Sequence, residues 1–143
     1  MNKILCPTDG SHAAEKAVDF AIKFAKMLEI PLTFLLVSRI PEESASEIRY
    51  RGSALIDAAN VQDFMELSSA LKEAQEAGLT EVSCVRTYAR RNIAAAIIDY
   101  AEKENFGHIV MGSMGRTGVA RILLGSVAAE VVQKAHCPVT IVR

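Results

Sequence analysis

The sequence predicts an α/β protein in which an open, parallel sheet of five strands is covered by helices on both faces, giving three layers. Short apolar runs alternate along the 143 residues with segments of helical periodicity, a pattern typical of parallel strands joined by right-handed crossovers. The run at residues 32–37 is almost continuously hydrophobic, which indicates a strand covered on both sides. Half of all residues are hydrophobic and only 6% are aromatic, so we expect an aliphatic core. This length suits one domain, and we predict that residues 1–143 form it.

The five predicted strands are short apolar runs bounded by turn residues. They span residues 4–6, 32–37, 82–87, 108–111 and 138–142. The third is the least hydrophobic, which is typical of a sheet edge. Apolar residues at helical spacing predict four helices between them, at residues 12–28, 55–77, 93–101 and 127–134. Ser11 and Asn92 are the expected N-caps of the first and third helices, and Gly78 ends the second. Residues 39–53 show no period and are predicted to form a surface loop.

The balance of charge argues against nucleic acid or a membrane surface as a partner. Sixteen Lys and Arg against 17 Asp and Glu give a net charge of −1, so the chain has no general attraction to either. No apolar run approaches the roughly 20 residues of a spanning helix, and the first residues lack the apolar segment of a signal peptide. Cys6, Cys84 and Cys137 are expected to be buried, reduced thiols, with a redox or metal role as the alternative. We therefore expect a cytoplasmic protein.

The most informative segment is the glycine-rich stretch GSMGRTGVARILLGS at residues 112–126. It lies between a predicted strand and a predicted helix. In a loop between a strand and a helix, glycine lets backbone amides approach an anion, and the start of the helix adds unpaired N–H groups. The spacing is G-x2-G-x9-G-S, which is neither the GxxxxGK[ST] nor the GxGxxG pattern. We predict that this loop binds nucleotide phosphates, with a purely structural turn capped by Ser126 as the alternative.

Three charged residues are placed to assist such binding, and each has a structural alternative. Arg116 and Arg121 lie inside the loop and can donate charge-assisted hydrogen bonds to phosphate, or they are ordinary solvated arginines. Asp9 follows the first strand and can accept from a base amine or help to bind a divalent cation, although Asp before Gly is a common turn residue. The three histidines show no ligand spacing, and we expect His12 at the surface.

The loops after the first and fourth predicted strands carry this chemistry. In parallel sheets, ligands bind beyond the carboxyl ends of the strands, where the strand order reverses. If these two strands are neighbours at that reversal, residues 7–9 and the segment from Gly112 line one crevice of nucleotide size. We recognise no Ser/His/Asp or Cys/His arrangement and no paired carboxylates in the sequence. The sequence therefore indicates binding far more clearly than catalysis.

These motifs resemble the universal stress proteins over nearly the whole chain. The similar segments are ILCPTDGS at residues 4–11, IVMGSMGRTG at 109–118, LLGSVA at 123–128 and CPV at 137–139. The complete G-x2-G-x9-G-[ST] pattern is similar to that of the family's ATP-binding branch. The resemblance implies an adenine nucleotide alpha hydrolase-like fold, with five parallel strands in the order 3-2-1-4-5. It also implies a homodimer, and a C-terminal strand at the sheet edge would offer unpaired backbone to a second copy.

The resemblance further implies a set of ligand contacts. Phosphates and ribose would lie on Gly112, Ser113, Gly115, Gly125, Ser126 and Val127, with Arg116 in the same loop. Adenine would be surrounded by Pro7, Thr8, Asp9 and Val37, with Met111 beside them. The implied cofactor is ATP, or ADP or AMP, accompanied by Mg²⁺.

One segment departs from the family pattern. After the third strand the family often has a glycine and a proline-containing turn, whereas this chain has Tyr88-Ala89-Arg90-Arg91-Asn92. These residues would crowd the wall near the nucleotide or change its charge. The favoured alternative is that Arg90 and Arg91 are ordinary solvated residues.

The predicted function is that of an adenine-nucleotide-binding stress-response regulator. It would act through conformation and partners, with at most slow ATP hydrolysis. Two other classes stay open, a nucleotide-independent dimeric interaction protein of the same fold and an ATPase or nucleotide-dependent transferase.

Overall fold

The computed structural model describes residues 1–39, 54–56, 60–114 and 124–143. Within these ranges the strands are β1 (Ile4–Pro7), β2 (Leu32–Arg39), β3 (Ala54–Leu55), β4 (Val82–Ala89), β5 (His108–Gly112) and β6 (Val139–Val142). The α-helices are α1 (His12–Leu28), α2 (Met65–Glu76), α3 (Ile93–Lys103) and α4 (Ser126–Lys134). A short 3₁₀ helix at Val61–Asp63 precedes α2.

The strands form one sheet in the order β3-β4-β2-β1-β5-β6. The five longer strands are all parallel to one another, so the predicted order 3-2-1-4-5 is confirmed for them. The prediction of five strands with the third at the edge is wrong by one short strand. Ala54 and Leu55 pair antiparallel with Arg86 and Val85 and cover the outer side of β4. A strand of two residues is too short to show a hydrophobic period, so the sequence pattern does not reveal it.

The second predicted helix begins about ten residues later than the sequence pattern indicates. Residues 54–55 are extended along β4, and Phe64 has extended backbone angles (φ −122°, ψ 94°) at the N-cap position of α2. Phe64 therefore precedes the helix. Leu67 and Ala74 of α2 are fully buried. Pairing with a neighbouring strand overrides local helical periodicity at the start of this segment.

Two apolar clusters form the core, one on each face of the sheet. The cluster under α1 and α2 includes Ala21, Phe34, Leu67 and Val110. The cluster under α3 and α4 includes Leu35, Ile97, Ile109 and Val131. All four residues of β1 are buried, as expected for a central strand covered on both faces.

The predicted helix boundaries are largely confirmed by their caps. The Ser11 hydroxyl accepts from the Ala14 N–H at 3.2 Å, and Asn92 Oδ1 accepts from the Ala95 N–H at 2.8 Å. Gly78 follows α2 with φ +88°, a conformation that favours glycine. Residue 39 ends β2, and the rest of the predicted 39–53 loop lies outside the described residues.

The three cysteines are free thiols. Cys6 and Cys84 are buried as predicted, whereas Cys137 is only half-buried because it lies in the turn that leads into the edge strand β6. None of the described helices is long and apolar enough to cross a membrane.

Asn92→Ala is expected to lower the free energy of unfolding by about 1 kcal/mol, because the Ala95 N–H loses its acceptor. The matched control is Asn60→Ala. Asn60 holds the N-cap position of the 3₁₀ helix but makes no side-chain capping bond, so its loss should be nearly neutral. Urea denaturation of both variants checks this, and equal losses would contradict it.

Candidate functional site

The strand order reverses at β1. The chain passes from β1 to β2 and β4 on one side, then returns to β5 and β6 on the other. The loops that leave β1 and β5 therefore emerge from adjacent strands at the same edge of the sheet. This confirms that the two loops singled out from the sequence are neighbours at the switch point, where parallel sheets bind ligands.

Gly112, the last residue of β5, lies directly against the start of α1. A Cβ at this position would be 2.8 Å from the carbonyl oxygen of Ala13 and 3.2 Å from the Ala13 Cβ. Real Cβ atoms do not approach backbone this closely, so only glycine lets β5 end here. The contact fixes the loop after β5 relative to the β1–α1 loop.

The β1–α1 loop is held by its own hydrogen bonds. The Thr8 N–H donates to the Leu35 carbonyl at 2.9 Å, and Asp9 Oδ1 accepts from the Ser11 N–H at 2.9 Å. Gly10 follows with φ +75°. The turn role that the sequence offered as an alternative for Asp9 is therefore present. Thr8 is buried and Asp9 is partly exposed.

The two ends of the glycine-rich loop are joined by a short hydrogen bond. The Gly125 N–H donates to the Ser113 carbonyl at 2.7 Å, and the Ser113 N–H donates to the Val142 carbonyl at 3.0 Å. A Cβ at Gly125 would lie 3.2 Å from that same Ser113 oxygen. Gly112, Ser113 and Gly125 are thus brought together. Gly115, Arg116 and Arg121 lie outside the described residues.

Helix α4 begins without a side-chain cap. Gly125 occupies the N-cap position and Ser126 is the first helical residue, so the alternative in which Ser126 caps this helix is not observed. The first N–H groups of a helix have no partner within it. Among the described residues no side chain caps the start of α4, and amides in such a position can donate to an anion.

An apolar wall continues from these loops across the sheet. Val37 and Met111 belong to the cluster under α3 and α4, and Pro7 shares that face because it alternates with the buried Leu5. Thr87 lies opposite Val37 in the β2–β4 register and is buried. The sequence motifs do not single out Thr87, although its alternation with Val85 in the predicted third strand indicates that the two side chains share a face.

The segment that departs from the family pattern mostly avoids this wall. The Tyr88 ring lies 4.9 Å from the Arg86 guanidinium, and Arg86 in turn lies over the ring of Phe64 on the α2 face. Arg91 is exposed and 3.8 Å from Asp99, which supports the solvated alternative for this arginine. Asn92 caps α3, as described above.

A cavity of about 240 Å³ shares Thr8 with this region but lies between α1 and α2. Glu15, Glu66 and Glu73 contribute carboxylates to its lining. Burial, together with the Asp19 and Glu15 carboxylates, raises the pKa of Glu73. Like charges already crowd this side of the β1–α1 loop, so a phosphate is disfavoured there.

No group of three or more His, Cys, Asp or Glu side chains is placed to hold a metal ion within the described ranges. Of the histidines, His12 is exposed as predicted. His108 is buried, a placement that its sequence context did not reveal.

Fold and site together define a class, the doubly wound parallel α/β proteins with a glycine-rich loop and an open helix start at the switch point. The chain belongs to the universal stress protein family, whose model matches residues 1–143.

Two relatives cover almost the whole chain. Universal stress protein MJ0531 of Methanocaldococcus jannaschii is 33% identical over 148 residues, which are 99% of this chain and 81% of that protein. Universal stress protein YxiE of Bacillus subtilis is 34% identical over 146 residues, with 99% of both chains covered.

Solved structures share the fold. The universal stress protein UspA of Lactobacillus plantarum superposes with a TM-score of 0.77 at 25% identity, covering 99% of this chain and 97% of that one. A universal stress protein in complex with cAMP gives 0.74 at 23% identity, with 99% and 97% covered. One from Archaeoglobus fulgidus in complex with dAMP gives 0.66 at 22% identity, with 100% and 98% covered.

Gly112→Ala is expected to lower the free energy of unfolding by about 1–3 kcal/mol, because the added methyl group collides with backbone that cannot move aside. Gly78→Asn is the control, since no atom lies within 4 Å of its Cβ position and Asn tolerates positive φ. Thermal and urea unfolding measure both. A Gly112→Ala variant as stable as the wild type would contradict the close contact.

Proposed function

We propose that this protein binds an adenine nucleotide beyond the carboxyl ends of β1 and β5 and acts as a stress-response regulator through conformation and partners, with at most slow ATP hydrolysis. The ligand is ATP, or ADP or AMP. The observation that carries the proposal is the 2.7 Å bond between Gly125 N–H and the Ser113 carbonyl. It places the uncapped start of α4 beside the end of β5, next to the β1–α1 loop.

In this proposal the phosphates lie on backbone rather than on side chains. The amides of Ser126 and Val127 donate to phosphate oxygens, and the partial positive charge at the start of α4 favours the anion. Gly112, Ser113 and Gly125 let the backbone approach, and Gly115 and Arg116 complete the loop. Mg²⁺ arrives with the phosphates, since this ion commonly keeps water and phosphate oxygens as most of its ligands.

The base lies on the apolar wall. Val37 and Met111 supply apolar contact, and Pro7 and Thr8 close the side at the exit of β1, with Asp9 available to the base amine. Thr87, beside Val37, adds a buried hydroxyl to this wall. The complexes of two family members with cAMP and with dAMP support adenine as the base.

We also propose a homodimer that forms along β6, in a cytoplasmic protein. All four residues of β6 are only partly buried, and this strand is the end of the sheet. An edge strand offers unpaired N–H and C=O groups to a second copy. The free, buried thiols of Cys6 and Cys84 suit a reducing compartment.

Nucleotide-stripped wild-type protein should bind ATP with Mg²⁺ in an equilibrium calorimetric titration, and Gly125→Val should weaken the affinity by about tenfold or more, equivalent to about 1.4 kcal/mol. The valine side chain would push the start of α4 away from Ser113. Circular dichroism verifies that the variant is folded.

Glu73→Gln is the matched control for this titration. It changes the acidic cavity between α1 and α2 and should leave ATP affinity unchanged. Wild-type protein that binds no ATP up to millimolar concentration would contradict the proposal and favour the nucleotide-independent interaction protein. Turnover above roughly 1 s⁻¹ would instead favour an enzyme.

Ile141→Pro should shift the protein from dimer to monomer in analytical ultracentrifugation. Ile109 and Ser113 donate to the carbonyls of Pro138 and Val142, so the alternation of a parallel strand turns the N–H of Ile141 outward. Proline removes that donor and is tolerated at a sheet edge. Ile141→Val keeps the donor and should remain dimeric, and equal behaviour of the two variants would count against pairing through β6.

A further inference from the structure

His108 begins β5 at the end of the sheet opposite the candidate nucleotide site. It is 7% exposed, whereas His12 and His136 are exposed. Its Nε2 lies 2.7 Å from the Thr140 hydroxyl of β6, and the ring of Phe24 on α1 meets the imidazole edge-on at 5.4 Å between centroids. Its Nδ1 is buried and has no hydrogen-bond partner within the described residues.

The elements around this imidazole present little charge to it. Among their charged residues, Lys23 pairs with Asp19 at the surface of α1, Lys26 donates to the Ala77 carbonyl, and the Lys3 ammonium lies over the Phe106 ring. Strand β6 itself contains only Val, Thr and Ile. The remaining charged residues of these elements are Glu15, Lys16 and Glu29 of α1 and its cap, and Arg143 after β6.

A neutral imidazole suits this position and a charged one does not. In the neutral ring, Nε2 makes one hydrogen bond with the Thr140 hydroxyl. The other nitrogen, Nδ1, then carries either a lone pair or a proton, depending on the tautomer. Protonation makes both nitrogens donors and adds a charge, and a buried donor without an acceptor is costly. Burial accordingly lowers the pKa of His108.

The sign of the pH dependence follows from this direction. Because the folded pKa lies below the unfolded value of about 6.5, the unfolded or locally opened state takes up the proton more readily. The stability is therefore fully present above about pH 6.5 and is lost as the pH falls towards the folded pKa.

We expect strand β6 to be the element that loses most stability when His108 is protonated. Within one protomer it is four residues long, partly exposed and, among the described strands, paired only with β5, features of a segment that opens locally. We propose that His108 is a proton-sensitive latch on β6, which holds this edge strand through Thr140 when neutral and releases it from β5 when protonated. This inference does not rest on nucleotide binding.

Amide hydrogen exchange of nucleotide-stripped protein tests the latch. Protection factors of the β6 amides are compared at about pH 7.5 and about pH 5.5, which bracket the unperturbed histidine pKa. In the wild type, protection should fall on acidification, by at most about tenfold at about pH 5.5, because this pH lies about one unit below the unfolded histidine pKa. In His108→Gln, whose amide can still reach Thr140 but does not titrate, protection should be independent of pH. His12→Gln, at an exposed site, should behave as the wild type.

A parallel NMR titration of the wild-type imidazoles keeps the test decisive if His108→Gln does not fold. His108 should titrate below the pKa of an unperturbed histidine, and the β6 amides should lose protection over the range in which His108 gains its proton. A His108 midpoint at or above that of an unperturbed histidine, or β6 protection that does not change with pH, would overturn the proposal. An equal loss of protection in folded His108→Gln would also overturn it.

Discussion

The geometry of the candidate site depends on the close approach of β5 to the start of α1 at Gly112. A Cβ there would meet the Ala13 carbonyl at 2.8 Å, which is backbone held inside a helix and so cannot relax as a side chain would. This contact sets the loop after β5 against the loop after β1. The bond from Gly125 to the Ser113 carbonyl then extends the same constraint to the first turn of α4. Backbone positions, rather than the chemistry of particular side chains, therefore define the site.

Electrostatics separates the two sides of the β1–α1 loop. Towards α2, Glu15, Glu66 and Glu73 share one cavity, and burial together with the Asp19 and Glu15 carboxylates raises the pKa of Glu73. Towards α4, the described residues present an uncapped helix start. An anionic ligand near Thr8 is thus favoured on one side and opposed on the other. This asymmetry would orient a nucleotide with its phosphates over α4, without requiring an arginine to select the direction.

The main parts of the fold could be predicted because each rests on a local signal. Apolar runs gave the five longer strands, and Ser11, Asn92 and Gly78 marked helix ends through side-chain or backbone chemistry. Strand β3 and the start of α2 could not be predicted, because pairing with β4 decides both and two residues carry no period. At the site, glycine spacing located the loop, but it could not show that Gly125 rather than Ser126 holds the N-cap position. The burial of His108 was equally hidden, since it depends on Phe24 and Thr140, which are distant in sequence.

Strand β6 is attached to β5 by different chemistry at its two ends. At the amino end of β5, His108 meets the Thr140 hydroxyl; at the carboxyl end, the Ser113 N–H donates to the Val142 carbonyl. The first contact responds to protons, and the second belongs to the loop that we propose for nucleotide. If His108 holds β6 as we propose, any partner that stabilises β6 opposes protonation of His108, and by linkage protonation opposes the partner to the same extent. A second copy paired along β6 would therefore lie beside both contacts, because the strand it covers carries Thr140 and Val142.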